Sequence, residues 1–220
     1  MILLDNILQD IQLEAIVNDK DNFFQYDDPC MNLWYGIEVE GTRNIQEVTI
    51  QNLIDAIGLD MSEVKSIEHW TWPNHIKKSS YKWHRNTNID ENGNVLTEIK
   101  PIYSMIYWPL PLNIEGGYLE ISDARGDKTY EIFDKNGARE KWNDNILKDY
   151  HPNHLEALGD IQRIKPVYNR VVVFDGDRYH RVAPHKGNRW AMAVDFWGED
   201  IIQDQHCRDE IYGDIYEYYK

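Results

Sequence analysis

The segment from Val171 to Arg189 constrains the fold more than any other part of the chain. Val171-Val172-Val173-Phe174 is a short apolar run, and the turn residues Asp175-Gly176-Asp177 close it. Such a run bounded by turn signals reads as a buried strand. His180 stands just past it, and Arg189 follows nine positions later at the mouth of a second apolar run ending at Trp197. An imidazole is the commonest protein ligand for transition metals. A guanidinium fork is the preferred partner of a carboxylate. Two rigid strands holding both groups predict a pocket for a metal and a dicarboxylate, provided that a second metal-binding segment lies upstream.

Composition narrows the class of protein. A chain of 220 residues fits one large domain more easily than two. Eight Trp and fourteen Tyr supply large side chains for a core despite a modest hydrophobic content of 42%. The formal net charge of −15 opposes nucleic acid and anionic membrane surfaces as partners. Cys30 and Cys207 are the only cysteines and have no metal-type spacing. The N-terminus lacks the basic flank of a signal peptide, and no apolar run is long enough to span a bilayer. A cytoplasmic protein is the expectation; the oligomeric state is left open.

Along the chain, Leu4, Leu8, Ile11 and Ala15 suit a helix over residues 2–17, while alternation at Ile7, Gln9, Ile11 and Leu13 leaves a strand open. Residues 33–39 read as a short strand. Thr42 offers an N-cap to a helix whose stripe is Ile45, Val48, Leu53, Ile54 and Ile57, stopped by Gly58. Beyond it the pattern is extended, with strands expected at 64–72, 81–84, 102–108, 117–121, 129–133, 171–174 and 189–197, and a short helix around 140–147. Turn signals separate them, Glu115-Gly116-Gly117 and Lys186-Gly187 among them. The predicted fold is mainly β with flanking helices, a sandwich or double-sheet barrel. Residues 1–60 form a helix-rich N-terminal layer on one sheet, 62–200 the β core and 201–220 a C-terminal extension, all in a single domain.

Tyr81-Lys82-Trp83-His84-Arg85-Asn86 is the upstream partner of His180. Residues i and i+2 of a strand share a side, so His84 and Asn86 can face one cation. Nonheme Fe(II) is usually held by two His and one carboxylate; here the third residue is an amide. Four segments occur in order: Trp83-His84-Arg85-Asn86, the aromatic run Tyr103 to Trp108, Gly116-Gly117-Tyr118-Leu119, and His180 with Arg189. Together they resemble the Fe(II)/2-oxoglutarate-dependent dioxygenases, specifically the prolyl-4-hydroxylase-like branch on a double-stranded β-helix (jelly-roll) core. The match covers roughly residues 80–197.

The resemblance implies that His84, Asn86 and His180 hold Fe(II) and that Arg189 binds the distal carboxylate of 2-oxoglutarate. Tyr107 would donate its hydroxyl to the same carboxylate, with Tyr103 as the fallback on the same strand face. Trp83, Arg85 and Trp108 would line the substrate mouth. Cofactor and cosubstrates would be Fe(II), 2-oxoglutarate and O2, with ascorbate as an optional reductant. The implied reaction hydroxylates an unactivated C–H of a peptidyl (prolyl-like) or free amino-acid substrate, as 2-oxoglutarate is decarboxylated to succinate and CO2.

Asn86 departs from that pattern, because an amide oxygen binds iron more weakly than a carboxylate and brings no charge. With a carboxylate, the iron and 2-oxoglutarate site carries one net negative charge; with an amide it is neutral. Asn86 either ligates through its oxygen, stands beside a water, opens the site to halide as in the halogenases of this superfamily, or marks a protein that binds without catalysis. An introduced Asp-to-Asn change is a further reading. Rival classes are therefore a noncatalytic jelly-roll binding protein, a nonheme iron halogenase and a cupin-type enzyme without 2-oxoglutarate, which Arg189 disfavours. Other histidines read as bland: His151 and His154 as a solvated loop, His69 and His75 as a packed edge, and His185 as a residue near the entrance. Asp90 reaches the metal only through a loop, and Gly116 and Gly117 are a turn device.

Overall fold

The computed structural model describes residues 1–24, 32–35, 44–72, 86, 88–89, 95–96, 99–125 and 159–199. Strands expected at 81–84 and 129–133, the helix at 140–147 and the extension 201–220 lie outside the described residues. So do Trp83, His84, Arg85, Asp90, His75, His151, His154, Thr42 and both cysteines.

A six-stranded antiparallel sheet dominates, in the order β1 (Ile2–Asp5), β10 (Arg170–Asp175), β6 (Pro101–Trp108), β13 (Ala191–Trp197), β3 (Ser66–Trp72) and β2 (Asn32–Tyr35). Against it stands a smaller sheet of β11 (Arg178–Val182), β8 (Leu119–Arg125) and β9 (Ile161–Ile164). Two short pairs complete the β structure: β7 (Asn113–Gly116) with β12 (His185–Asn188), and β4 (Asn88–Ile89) with β5 (Val95–Leu96). The architecture is a jelly-roll core.

Alternation along the strands separates two cores. Tyr107, Met105, Val171, Val173, Met192, Val194, Phe196 and Ile67 face the helices. Trp108, Val172, Phe174 and Ala191 face inward and meet Leu119, Ile121 and Ile164 of the smaller sheet. The helical layer comprises α1 (Asp10–Asn18), α2 (Lys20–Phe23) and α3 (Ile45–Ile57). In α3, the Asn44 side chain accepts from the Glu47 backbone N–H at 2.8 Å and the Glu47 carboxylate accepts from the Asn44 N–H at 3.1 Å, a reciprocal capping box. Gly58 ends the helix in the left-handed conformation and its N–H bonds the Ile54 carbonyl. Ile50 and Leu53 are fully buried beneath it, each contributing about 1.5–3 kcal/mol.

Three expectations need correction here. Residues 2–17 are not one helix: Ile2–Asp5 is a strand paired with β10, and the helix begins at Asp10. Both Ile11 and Val48, expected on buried stripes, are exposed, because the buried positions are Leu13 and Ile16 in α1, and Gln46, Thr49, Ile50, Leu53 and Ile54 in α3. The N-cap of α3 is Asn44, whose side chain closes the box with Glu47.

Candidate active site

The β10–β11 hairpin delivers His180. The Asp177 N–H donates to the Asp175 carboxylate at 3.1 Å, and Lys100 pairs with Asp177 at 2.7 Å, fixing the turn. A side chain on Gly176 would collide with the Pro101 carbonyl oxygen, so only glycine lets the turn lie against β6. His180 is then buried on the inner face of β11, opposite Ile121, with its ring edge-on to Phe174 at 5.1 Å. Its Nδ1 lies 3.1 Å from the Arg178 carbonyl oxygen. A carbonyl only accepts, so Nδ1 donates, and in the neutral ring the lone pair then sits on Nε2. That tautomer, anchored by the backbone, is the one a metal needs.

Arg189 lies two residues before β13 and is buried, with its Nε and Nη2 atoms out of solvent. Its guanidinium carbon lies 5.7 Å from the centre of the Trp108 ring. Trp108 is itself fully buried, and its Nε1–H finds no acceptor among the described residues. Buried donors are normally satisfied, so this N–H calls for an acceptor. A guanidinium over the indole ring and an indole N–H without an acceptor among the described residues suit a carboxylate. His185, on β12, has its imidazole pKa lowered by burial and by the Arg189 charge, which places it near the same guanidinium.

Between Arg189 and Asp195 the inward positions of β13 are Ala191 and Ala193, both buried. Only methyl-sized side chains therefore stand between Arg189 and Asp195 on this face. The far end of this face carries Asp195. Its oxygens accept from the Ser104 hydroxyl and from Asn86 Nδ2, each at 2.6 Å. Burial pushes the Asp195 pKa up to about 7, against the lowering effect of those two hydrogen bonds. Asp195, Ser104 and Phe174 are register partners across three adjacent strands. The Asp195 end of β13 therefore lies level with Phe174 and with the His180 ring packed on it.

The structure relocates several expected site residues. Tyr107 and Tyr103 were expected at the 2-oxoglutarate carboxylate. Both instead face the helices, on the opposite side of β6 from Trp108, because successive strand residues point to opposite faces. The Tyr107 hydroxyl donates to Asn169 Oδ1 at 3.1 Å, and burial raises its pKa far above the ordinary value. Trp108 was expected at the substrate mouth, but it is fully buried beneath Arg189. Gly116 and Gly117 both have positive φ, and a Cβ on Gly116 would sit 2.4 Å from the Pro184 carbonyl oxygen. They allow β7 and β12 to close against each other, as a turn device should. Asp195 and Ser104 were missed, although a lone acid within the apolar run Ala191–Trp197 was visible in the sequence. His84, Trp83 and Arg85 lie outside the described residues, and among the described residues no group of three or more His, Cys, Asp or Glu side chains is placed to hold a metal.

No family model and no curated protein sequence matches the chain. Among solved structures it is similar to a Pseudomonas putida prolyl-4-hydroxylase, with 13% identity and a TM-score of 0.46 over 92% of this chain and 88% of that one. A second is a prolyl hydroxylase from Trichoplax adhaerens, in complex with a hypoxia inducible factor oxygen degradation domain peptide fragment. It has 12% identity and a TM-score of 0.47 over 90% and 83% of the two chains. A third is an oxidoreductase of the 2OG-Fe(II) oxygenase family from Burkholderia pseudomallei, at 11% identity and a TM-score of 0.46 over 91% and 86%.

Proposed function

We propose that this protein is an Fe(II)/2-oxoglutarate-dependent dioxygenase that hydroxylates an unactivated C–H of a peptidyl (prolyl-like) or free amino-acid substrate. The observation that carries the reading is the buried Arg189 guanidinium over the Trp108 indole ring, on the inner face that also receives His180. A monocarboxylate or a neutral ligand would leave one of these charged or polar ends without use; a short dicarboxylate with a keto acid end uses both.

His180, through Nε2, and the Asn86 amide oxygen would hold the iron together with His84. Bound there, Fe(II) would supply oxygen activation coupled to decarboxylation of 2-oxoglutarate. Arg189 would bind the distal carboxylate through charge-assisted hydrogen bonds, and Trp108 Nε1 would donate to the same group in the role first expected of Tyr107. Ala191 and Ala193 would leave the volume for the carbon chain. Trp108, Phe174, Leu119 and Ile121 would exclude water, which strengthens each of these electrostatic contacts. Trp83 and Arg85 are proposed at the substrate mouth.

Anaerobic addition of Fe(II) and 2-oxoglutarate is expected to produce a weak visible charge-transfer band, and admission of O2 to release succinate. Absence of both, in this chain and in Asn86→Asp, would leave a binding-only protein, the reading that the amide at position 86 favours. Chloride appearing in the product would instead indicate a halogenase.

A further inference from the structure

Asp195 is the most deeply buried acid of the inner face, and the hydroxylase reading has no direct use for it. It is 1% exposed, and its two oxygens are divided between Ser104 Oγ and Asn86 Nδ2, both neutral donors at 2.6 Å. Glu68, also buried, is its cross-strand neighbour on β3. Among the described residues no Lys or Arg lies within ion-pair distance of Asp195. A buried carboxylate is stabilised mainly by a cation close by.

The donor on Oδ2 belongs to the residue that occupies the acid position of the metal motif. Because the carboxylate accepts from Nδ2, the amide oxygen of Asn86 is turned away from Asp195 and remains the face of the amide that can ligate. Polarisation of the amide by the carboxylate moves negative charge onto that oxygen, as carboxylates do for metal-bound imidazoles. Register places Asp195, Ser104 and Phe174 in one row, roughly 10 Å across three strands. The row leads to the His180 ring on Phe174.

We infer that Asp195 is a positioning residue for the cation: it orients the Asn86 amide with oxygen outward and supplies, from one hydrogen bond further away, the negative charge that the amide lacks. This rests on the iron site proposed above. A merely structural Ser104–Asp195–Asn86 network would tie residue 86 to the sheet and leave metal affinity untouched when the charge alone is removed.

The test is Co(II) binding to the metal-free 220-residue chain at pH 8, where Asp195 is ionised, read by visible d–d absorption and by calorimetry, with melting temperature as the measure of folding. Asp195→Asn keeps shape and removes charge, and is expected to weaken Co(II) binding about 10- to 100-fold. The double variant Asn86→Asp with Asp195→Asn exchanges the two groups, puts the carboxylate in the ligand position, and is expected to bind at least as tightly as the wild type. Ser104→Ala, which removes a hydrogen bond and keeps the charge, is expected to change affinity by less than about fivefold. A folded Asp195→Asn protein that binds Co(II) like the wild type overturns the inference and leaves the iron site standing. A wild type that binds no Co(II) overturns the iron site itself. Should Asp195→Asn fail to fold, the double variant decides: equal or tighter binding supports the exchange of roles, and lost binding overturns it.

Discussion

The two faces of the six-stranded sheet use the same strands for different ends. On the helix side, Asn169, Tyr107 and Gln46 spend their polar groups within the fold. Asn169, in the left-handed conformation, accepts from the Leu8 N–H and donates to the Leu8 carbonyl, while also taking the Tyr107 hydroxyl. Gln46 donates to the Phe23 carbonyl at 2.6 Å. These bonds close the helical layer onto the sheet and leave little to offer a ligand. On the inner side the same strands bury Arg189, Trp108, Asp195 and Glu68, and the Trp108 indole N–H has no acceptor among the described residues. Parity along β6 alone decides that Tyr107 packs against the helices and that its neighbour Trp108 lies on the inner face.

The largest test of that division is Arg189→Ala. Loss of a buried, charge-assisted carboxylate partner is expected to weaken 2-oxoglutarate binding at least 100-fold, about 3 kcal/mol. Calorimetry on the anaerobic Co(II) form measures it, and unchanged affinity would place the dicarboxylate elsewhere. Arg189→Lys keeps the charge without the fork and is expected to recover only part of the loss.

On the helix face the corresponding test is acid. His69 is fully buried, with neither ring nitrogen hydrogen-bonded among the described residues, and burial lowers its pKa to about 4. Ile67 and Thr71 flank it on β3, and Val194 is its partner on β13. Its pKa in the unfolded chain is near 6.5, so below that pH the unfolded state gains a proton that the folded state refuses. Stability is therefore complete above about pH 6.5, falls as pH drops toward 4, and loses about 3 kcal/mol from this group over that window. Denaturant titrations at pH 7 and pH 4 measure the loss, and His69→Leu is expected to remove it. An equally steep decline in that variant would assign the acid sensitivity to other groups.

How much of this was legible in the sequence follows the same parity. Long apolar runs such as 171–174 and 189–197 announce buried strands whatever their neighbours, so the β core and the order His180 then Arg189 could be read directly. The side on which an aromatic falls in Tyr103–Trp108 could not, because both faces of that strand are buried and period-two alternation gives no contrast. Hence Tyr107 was expected where Trp108 stands. Short strands with polar residues, β7, β9 and β12, carry little pattern of their own; β7 and β12 form by pairing with each other and β9 by pairing with β8. Asp195 stood out as a charge in an apolar run, but its tie to Asn86 spans 109 positions and exists only in the fold.

The finest test compares the two neighbours on β6. Trp108→Phe preserves most of the ring and removes the indole N–H; it is expected to weaken 2-oxoglutarate binding about five- to tenfold, roughly 1 kcal/mol, with a smaller change in stability. Tyr107→Phe removes a hydroxyl whose acceptor, Asn169 Oδ1, keeps the Leu8 N–H as a second donor. Its expected cost is at or below about 1 kcal/mol of stability, about 2–4 °C in melting temperature, with cosubstrate affinity unchanged. If Tyr107→Phe instead weakened 2-oxoglutarate binding and Trp108→Phe did not, the inner face would not be the one that holds the dicarboxylate. The alternation that separates structural from chemical residues on this strand would then run the other way.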